Sequence, residues 1–278
     1  MRSALRLGAG PGFALDAVTC RDDHRRWSPP EVSTGHRVVL VRRGRFRRVV
    51  GGRSATLDPT MAYVTGPGDE ERFAHPAGGD VCTSLHLTPA LWHTLAGGLV
   101  PPRPALYVDA RLDVAHRRLL RAARAGDPAF ALAEALLPLI AATLTGASRT
   151  AAASGGSGVS AVFAPSAPSG GAATRGEDTA ALVDTAREAI SAGHPAAGDL
   201  LSLAALLGVS PFRLSRAFTR ELGVSLTHYR NRVRVSRALD RLEQGEPSLA
   251  TLATDLGFAD QAHLTRTVRR HAGQFAGA

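Results

Sequence analysis

Two stretches near the C-terminal end of this 278-residue sequence place an arginine in matching surroundings. LGVSPFRLSRAFTR at 207–220 and LGFADQAHLTRTVRR at 256–270 share an opening Leu-Gly, and after an offset of one residue Arg216 matches Arg266. A guanidinium donates several coplanar hydrogen bonds, so it binds phosphate oxygens or the O6 and N7 acceptors of guanine. The repeat indicates one structural unit used twice, with this donor at the same place in both copies.

The elements that hold these arginines are predicted to be helices. In the second helix of each copy, two apolar residues four positions apart mark the buried side. The arginine midway between them points the opposite way at about 100° per residue. These sets are Leu214, Arg216 and Phe218 in the first copy and Leu264, Arg266 and Val268 in the second. One copy alone could be any two packed helices, but the repeated register favours two helix-turn-helix units.

The sequence between the copies predicts a long helix at 226–244. Its apolar residues occupy one face near its start, around Tyr229, and nearly the opposite face near its end, around Ala238. Such a helix packs on two bodies, and its length of roughly 28 Å approaches the roughly 34 Å between successive major grooves of a duplex. It also carries a stripe of arginines, namely Arg230, Arg234, Arg237 and Arg241. The stripe is either a solvated face or a further surface for phosphates.

The chain divides at an Ala-, Ser-, Gly- and Pro-rich stretch, 147–176, which has few large side chains to bury and is predicted to be a flexible linker. Before it, seven short β-branched runs separated by turn signals favour a small barrel or sandwich. A helical pattern then predicts two helices, broken near Gly126. The expected domains are a β-barrel at 1–112, helices at 113–146, the linker at 147–176 and an all-α domain at 177–278. The fold class is therefore α+β with more than one domain.

The net charge of +9 suggests a polyanionic partner, and all 33 basic residues are arginines. Residues 1–145 carry 19 arginines against 13 acidic residues, and residues 210–278 carry 11 against 6, so placement has to identify the basic surface. No apolar run is long enough for a membrane span, and the apolar part of the N-terminus is too short for a secretory signal. The two cysteines fit a reducing cytoplasm.

The segment 200–273 resembles the DNA-binding domain of the AraC-type family of bacterial transcription regulators. The second copy fits the family's Gly-Phe-x-Asp-x-x-His-apolar-x-Arg signature at Gly257, Phe258, Asp260, His263, Leu264 and Arg266. The resemblance implies base-reading positions at Phe212, Ser215, Arg216, Gln261, Ala262, Thr265 and Arg266. Chemistry agrees best for the two arginines, which suit guanine, while a glutamine suits adenine and a phenylalanine suits a thymine methyl. We expect the phosphate contacts to be Arg213, Arg220, Arg269 and Arg270.

One departure from the family concerns the residues after the last predicted helix. The family usually continues into a Pro-x-x-aromatic-Arg tail, whereas this sequence reads HAGQFAGA at 271–278. The expectation is weaker packing beneath the last helix and a looser second unit.

Regulators of this type often carry a cupin-like β-barrel and dimerising helices, and the N-terminal half resembles that arrangement. An enzymatic cupin needs clustered ligands such as His-x-His followed by Glu, and the histidines here lack that spacing. A barrel that binds an effector or is purely structural is therefore preferred. In the helices, an apolar set suggests either core packing or a homodimer interface, namely Leu119, Leu120, Leu132, Leu136, Leu137 and Ile140.

The same half contains two cysteine–histidine pairs. Cys20 with His24, and His75 with Cys82, could supply a tetrahedral zinc site if neighbouring strands bring them together. The alternatives are ordinary buried cysteines and histidines, or a redox pair of Cys20 and Cys82. The spacing matches no standard zinc finger.

These observations lead to one principal hypothesis. We expect a cytoplasmic, non-enzymatic, sequence-specific regulator that binds double-stranded DNA through two recognition helices and is controlled by its N-terminal domain, with a small-molecule effector and a homodimer as further partners. The alternative is a cupin-type metal-dependent enzyme with a helical accessory domain. A third hypothesis is a zinc or redox sensor. Such a protein would still bind DNA, but its N-terminal domain would sense zinc or oxidation.

Overall fold

The structure, a computed structural model, describes residues 1–97, 105–127, 129–154 and 170–272. These residues divide into two compact units, Met1–Ala151 and Ala152–Ala278. The first combines β-sheets with helices and the second is helical, which confirms the α+β fold class.

The N-terminal unit contains two antiparallel sheets. Its strands are β1 (Arg2–Gly10), β2 (Phe13–Cys20), β3 (Glu31–Val32), β4 (His36–Arg43), β5 (Phe46–Val50), β6 (Arg53–Leu57), β7 (Met61–Thr65), β8 (Glu70–Ala74), β9 (Asp80–Leu87) and β10 (Leu106–Tyr107). The larger sheet has the order β1-β2-β9-β4-β7-β10, and the smaller has the order β3-β8-β5-β6. Two such antiparallel sheets form the jelly-roll type of architecture to which cupins belong.

Alternation along the strands separates two environments in the larger sheet. Val38, Leu40 and Leu85 point to one side, where they form a hydrophobic core with helices α1 (Pro89–Ala96), α2 (Ala110–Arg124) and α3 (Ala131–Ser154). The residues that alternate with these along the strands point towards the smaller sheet. The ring centroid of Tyr63 on β7, for example, lies 6.4 Å from that of Phe73 on β8 of the smaller sheet. The larger sheet is therefore covered on both faces.

A buried charge cluster joins the two sheets. The carboxylate of Glu71 accepts from Arg48 Nε at 2.6 Å and from Arg37 at 2.6 Å, and Arg48 lies over the Tyr63 ring at 4.2 Å. Burial raises the pKa of the Tyr63 hydroxyl. This cluster therefore links β4 of the larger sheet to β5 and β8 of the smaller one, and removing one partner would leave an uncompensated buried charge.

All seven predicted strands are present, and four elements were not predicted. The missed strand β1 lies at the edge of the larger sheet and is mostly exposed, so it lacks an apolar alternation. Strands β3 and β10 have only two residues each. Helix α1 did carry a signal, because Thr88 caps it, Pro89 begins it and Gly97 ends it with a left-handed backbone.

The predicted linker at 147–176 differs from the structure at both ends. Helix α3 continues to Ser154, consistent with the alanine-rich sequence there. Helix α4 (Gly170–Ala192) begins seven residues before the predicted start of the C-terminal domain, without a comparable sequence signal. Residues 155–169 lie outside the described part of the chain.

The C-terminal unit follows the predicted order of helices. After α4 and a short 3-10 turn come α5 (Leu200–Leu206), α6 (Pro211–Leu222), α7 (Leu226–Glu243), α8 (Leu249–Asp255) and α9 (Gln261–Ala272). The bounds of α7 lie within one residue of the helix predicted at 226–244. Across the described ranges, no single helix is long and apolar enough to cross a membrane. Helices α5 and α6 pass that test of length and composition only as a pair bent by 93°.

The first testable prediction concerns His116 on α2. Its Nε2 lies 2.8 Å from the Thr83 hydroxyl on β9, and burial lowers its pKa from 6.5 to about 4. Between these values the unfolded chain binds a proton that the folded chain does not, so stability is lost as the pH falls through this window. We expect the free energy of unfolding to fall by about 2 kcal/mol between pH 7 and pH 5 because of this group.

Urea denaturation followed by tryptophan fluorescence measures this loss selectively, because both tryptophans, Trp27 and Trp92, belong to the N-terminal unit. The His116→Asn variant should lack this component of the pH dependence. His93→Asn, at an exposed position, should keep it. Equal pH dependence in the wild type and His116→Asn would contradict the assignment.

Candidate nucleic-acid interface

Each helix-turn-helix unit turns at a glycine with the same backbone geometry. Gly208 between α5 and α6 has φ of 64°, and Gly257 between α8 and α9 has φ of 71°. The following residue then donates back to the preceding helix, Val209 to the carbonyl of Ala204 at 3.0 Å and Phe258 to that of Ala253 at 2.9 Å. A left-handed backbone at this point favours glycine, which explains why the Leu-Gly pair is repeated.

The helices that follow the turns begin with different caps. Ser210 Oγ accepts from the Arg213 backbone N–H at 3.2 Å at the start of α6. At the start of α9, Asp260 Oδ1 accepts from the His263 backbone N–H at 2.6 Å. The cap residue stands two positions after the glycine in the first unit and three in the second, which accounts for the one-residue offset in the repeat.

The side chain of His263 also contributes to the cap at the start of α9. Its Nδ1 accepts from the Ala259 backbone N–H at 3.2 Å, and its ring meets that of Phe258 edge-on at 5.4 Å. The Phe-x-Asp-x-x-His part of the signature therefore builds the start of the helix. Its structural purpose is to fix the direction of α9 and hence of Arg266.

Both second helices bury the predicted side and expose the predicted arginine. Leu214 and Phe218 are fully buried on α6, and Leu264 is 2% exposed on α9. Arg216 and Arg266 are both exposed on the opposite side. Arg216 Cζ lies 5.2 Å from the centre of the Phe212 ring. Within the described ranges, no hydrogen bond or ion pair occupies the Arg266 guanidinium, so its donors face solvent.

The other predicted base-reading residues lie on the same exposed sides. Phe212 is 70% exposed. Gln261 and Ala262 are exposed in the first turn of α9, while Ser215 and Thr265 are partly buried. The Thr265 hydroxyl donates to the Gln261 carbonyl at 2.9 Å, so its proton is used within the helix.

The four predicted phosphate contacts are also exposed, and one of them is engaged elsewhere. Arg213, Arg269 and Arg270 lie at the surface. Arg220 donates to the Thr179 hydroxyl of α4 at 2.7 Å, so part of its guanidinium links α6 to α4. The predicted loosening under α9 concerns residues 273–278, which lie outside the described part of the chain.

The face change predicted for the long helix is present in α7. Near its start, the Tyr229 ring meets that of Phe218 on α6 at 5.1 Å. Near its end, Ala238 belongs to a core with Leu252 and Phe258 of the second unit. The two helix-turn-helix units are therefore held by opposite faces of one helix.

The arginine stripe on α7 was predicted to be a solvated face or a phosphate-binding surface. Three of its four arginines also contact other parts of the C-terminal unit. Arg237 donates to the Ser191 carbonyl of α4 at 2.6 Å. Arg241 pairs with Asp255 of α8 at 2.7 Å and also with Glu246, whose pKa its hydrogen bond lowers. Arg234 lies 5.6 Å from the centre of the Phe258 ring. These three arginines connect α7 to the helices around it.

In the N-terminal unit, the structure brings together only part of the predicted zinc set. Cys20 and His75 lie in one buried group, and the third member of that group is Asp80, which the sequence reasoning missed. His24 belongs to a second, more exposed group with Asp22 and His75. Cys82 is buried nearby, with its Sγ 3.1 Å from Asp80 Oδ1. Both cysteines are free.

The predicted dimer surface on the N-terminal helices is mostly internal. Leu119, Leu132, Leu136 and Ile140 are at most 3% exposed and belong to the core of their own unit. Leu137 is 52% exposed and Phe130 is 78% exposed. Core packing therefore explains most of the apolar pattern.

Two helix-turn-helix units joined by one shared helix define a bipartite helix-turn-helix domain. A helix-turn-helix domain family matches residues 203–278. The arabinose operon regulatory proteins of Escherichia coli (strain K12) and Salmonella typhimurium are each 33% identical to this chain over 75 residues. That match covers 27% of this chain and 26% and 27% of those proteins, so it spans about a quarter of their length. ToxT from Vibrio cholerae O395 is 8% identical with a TM-score of 0.36, covering 96% of each chain. The C-terminal unit therefore contains a helix-turn-helix domain of the family that matches residues 203–278.

The second testable prediction concerns the cap of α9. Asp260→Ala removes the acceptor for the His263 N–H and should cost about 1 kcal/mol, whereas Asp260→Asn keeps an acceptor and should cost less. Hydrogen–deuterium exchange of the α9 amides measures the effect, with roughly fivefold faster exchange expected for Asp260→Ala. Exchange in Asp260→Ala at the rate of the wild type would show that the cap does not hold this helix.

Proposed function

We propose that this protein is a sequence-specific DNA-binding transcription regulator that inserts α6 and α9 into consecutive major grooves of one duplex. The observation that carries the proposal is the shared layout of the two units. Each exposes one arginine, Arg216 or Arg266, on the side opposite an apolar pair, which is buried in α6 and consists of the buried Leu264 and the partly buried Val268 in α9. The recognition helix of such a unit enters the major groove with side chains aimed at base edges.

The roles within each helix follow from position and chemistry. Arg216 and Arg266 would donate to guanine O6 and N7, and Gln261 would read adenine. The exposed ring of Phe212 would contact a thymine methyl and support the Arg216 guanidinium that lies over it. Ser215, Ala262 and Thr265 complete the surface that faces the bases, with Thr265 available as an acceptor. Arg213, Arg269, Arg270 and the free part of Arg220 would bind phosphates, which position the domain without specifying sequence.

The protein would act in the cytoplasm. Its N-terminal unit would control the C-terminal domain by binding a small-molecule effector or by forming a homodimer through Phe130, in the turn before α3, and Leu137 on α3, which are both exposed. We propose a regulator and not an enzyme. The cupin-type enzyme is the weaker candidate, because the C-terminal surface has a specific use in DNA binding and none in catalysis. Catalytic turnover by the purified protein, together with no measurable affinity for DNA, would favour the enzyme over the regulator.

The third testable prediction separates base reading from phosphate binding. Arg266→Ala should weaken binding to a preferred site by about 1–3 kcal/mol and relax the base preference at one position. Arg270→Ala should weaken binding to all sequences alike and reduce the salt slope by about 1. Fluorescence anisotropy titrations at several salt concentrations, on preferred and scrambled duplexes, measure both effects.

A matched control is Arg118→Ala, which removes an exposed arginine from α2 of the N-terminal unit and should leave both quantities unchanged. Equal losses on preferred and scrambled duplexes for both Arg266→Ala and Arg270→Ala would contradict the division of roles. No measurable DNA affinity in the wild type would overturn the proposed function itself.

A further inference from the structure

A group of metal-ligating side chains lies where three strands of the N-terminal unit end. Cys20 is the last residue of β2, Asp80 is the first residue of β9, and His75 directly follows β8. Cys20 and Asp80 stand opposite each other in the β2–β9 ladder, so their side chains share one face of the larger sheet. That face is the one turned towards the smaller sheet, where Phe46 packs against His75 at 5.7 Å.

The loop between His75 and Asp80 is built for close approach to Cys20. A Cβ on Gly79 would stand 2.3 Å from the Cys20 carbonyl oxygen, so only glycine fits there. Gly78 has φ of 87° and donates to the His75 carbonyl at 3.3 Å, which turns the chain back towards β9. His75 is fixed on its other side by its backbone N–H, which donates to the His24 carbonyl at 2.9 Å. The backbone thus fixes the positions of all three side chains.

The ligand atoms of Cys20, His75 and Asp80 lie within 4.8 Å of one another, and all three residues are buried. His75 Nε2 is 3.1 Å from Asp80 Oδ2, yet Oδ2 accepts no hydrogen bond from any residue that the structure describes. The ring N–H is therefore not aligned to donate to this oxygen. A buried carboxylate oxygen without a hydrogen bond is costly, and a cation bound by both His75 Nε2 and this oxygen would offset that cost.

We propose that Cys20, His75 and Asp80 bind one Zn²⁺ ion through Sγ, Nε2 and a carboxylate oxygen, with a fourth position open to water. Sulfur, imidazole nitrogen and carboxylate oxygen are the donors that zinc takes in proteins. Magnesium and calcium require oxygen ligands throughout, so this set does not suit them. With bond lengths of about 2.0–2.3 Å, tetrahedral ligand atoms stand about 3.3–3.7 Å apart. The His75–Asp80 pair at 3.1 Å is already close to that spacing, and the two pairs that include Cys20, each within 4.8 Å, would have to close by at most about 1.5 Å.

Two neighbouring residues, His24 and Cys82, are not included in the proposed set of zinc ligands because of their burial and contacts. His24 is only half-buried and its Nδ1 already contacts the Arg26 carbonyl oxygen at 2.7 Å. The Cys82 thiol donates to Asp80 Oδ1 and does not belong to the group of mutually close ligand atoms. Cys82 would therefore orient the carboxylate while Asp80 Oδ2 binds the metal.

The test uses the full-length chain stripped of metal and titrated with Zn²⁺ against a chromogenic chelator, and with Co²⁺ as a spectroscopic probe. One equivalent of metal should bind, and the cobalt form should show tetrahedral bands with one thiolate-to-cobalt charge-transfer band. Cys20→Ser should abolish that band, and His75→Ala and Asp80→Ala should each weaken metal affinity by at least about 100-fold, beyond the effect of losing an outer-shell partner. Tryptophan fluorescence checks that each variant is folded.

The matched controls are Cys82→Ser, which removes the other buried thiol, and His24→Ala, which removes the other nearby imidazole. Cys82→Ser should keep the charge-transfer band, and neither control should lose stoichiometric binding. Absence of a thiolate–cobalt band in the wild type would overturn the proposal independently of any variant, as would a Cys20–Cys82 disulfide that forms readily in a chain without metal affinity. Loss of the band in Cys82→Ser but not in Cys20→Ser would overturn the ligand set. None of these outcomes bears on DNA binding.

Discussion

The C-terminal domain depends on α7 burying opposite faces at its two ends. The Tyr229 ring contacts Phe218 of the first unit, and nine residues later Ala238 enters the core of the second. Because a helix is stiff over this length, the two exposed arginines are held at a fixed separation and orientation. Arg237 and Arg241 reinforce the arrangement by connecting α7 to α4 and α8. A phosphate-binding stripe was one reading of these arginines, but holding the helices together is their observed use.

The C-terminal domain could be predicted well from sequence because its signals are local. A glycine in a left-handed turn, a capping residue two or three positions later and an apolar pair four apart each constrain only a few neighbouring residues. The same reasoning could not reveal that His263 and Asp260 close one cap from two sides, or that Arg220 reaches Thr179. Those contacts depend on side-chain directions and on packing between distant elements.

The N-terminal domain was harder to predict for the same physical reason. Strands with apolar alternation were found, whereas the exposed edge strand β1 has no such pattern. The cysteines and histidines were recognised as candidate ligands, but strand pairing decides which of them meet. The register of β2 against β9 sets Cys20 opposite Asp80, a carboxylate with no distinguishing sequence context. The apolar helical pattern likewise could not tell a core from a dimer interface, and most of it proved to be core.

The central claim is that two units on one rigid domain read two neighbouring segments of DNA. Selection of bound duplexes from random sequence, carried out in parallel with the wild type, Arg216→Ala and Arg266→Ala, tests it most directly. The account predicts a wild-type motif with two conserved segments about one helical turn apart. Each variant should lose base preference in a different segment and keep it in the other. A single conserved segment, or loss of the same segment in both variants, would contradict the account.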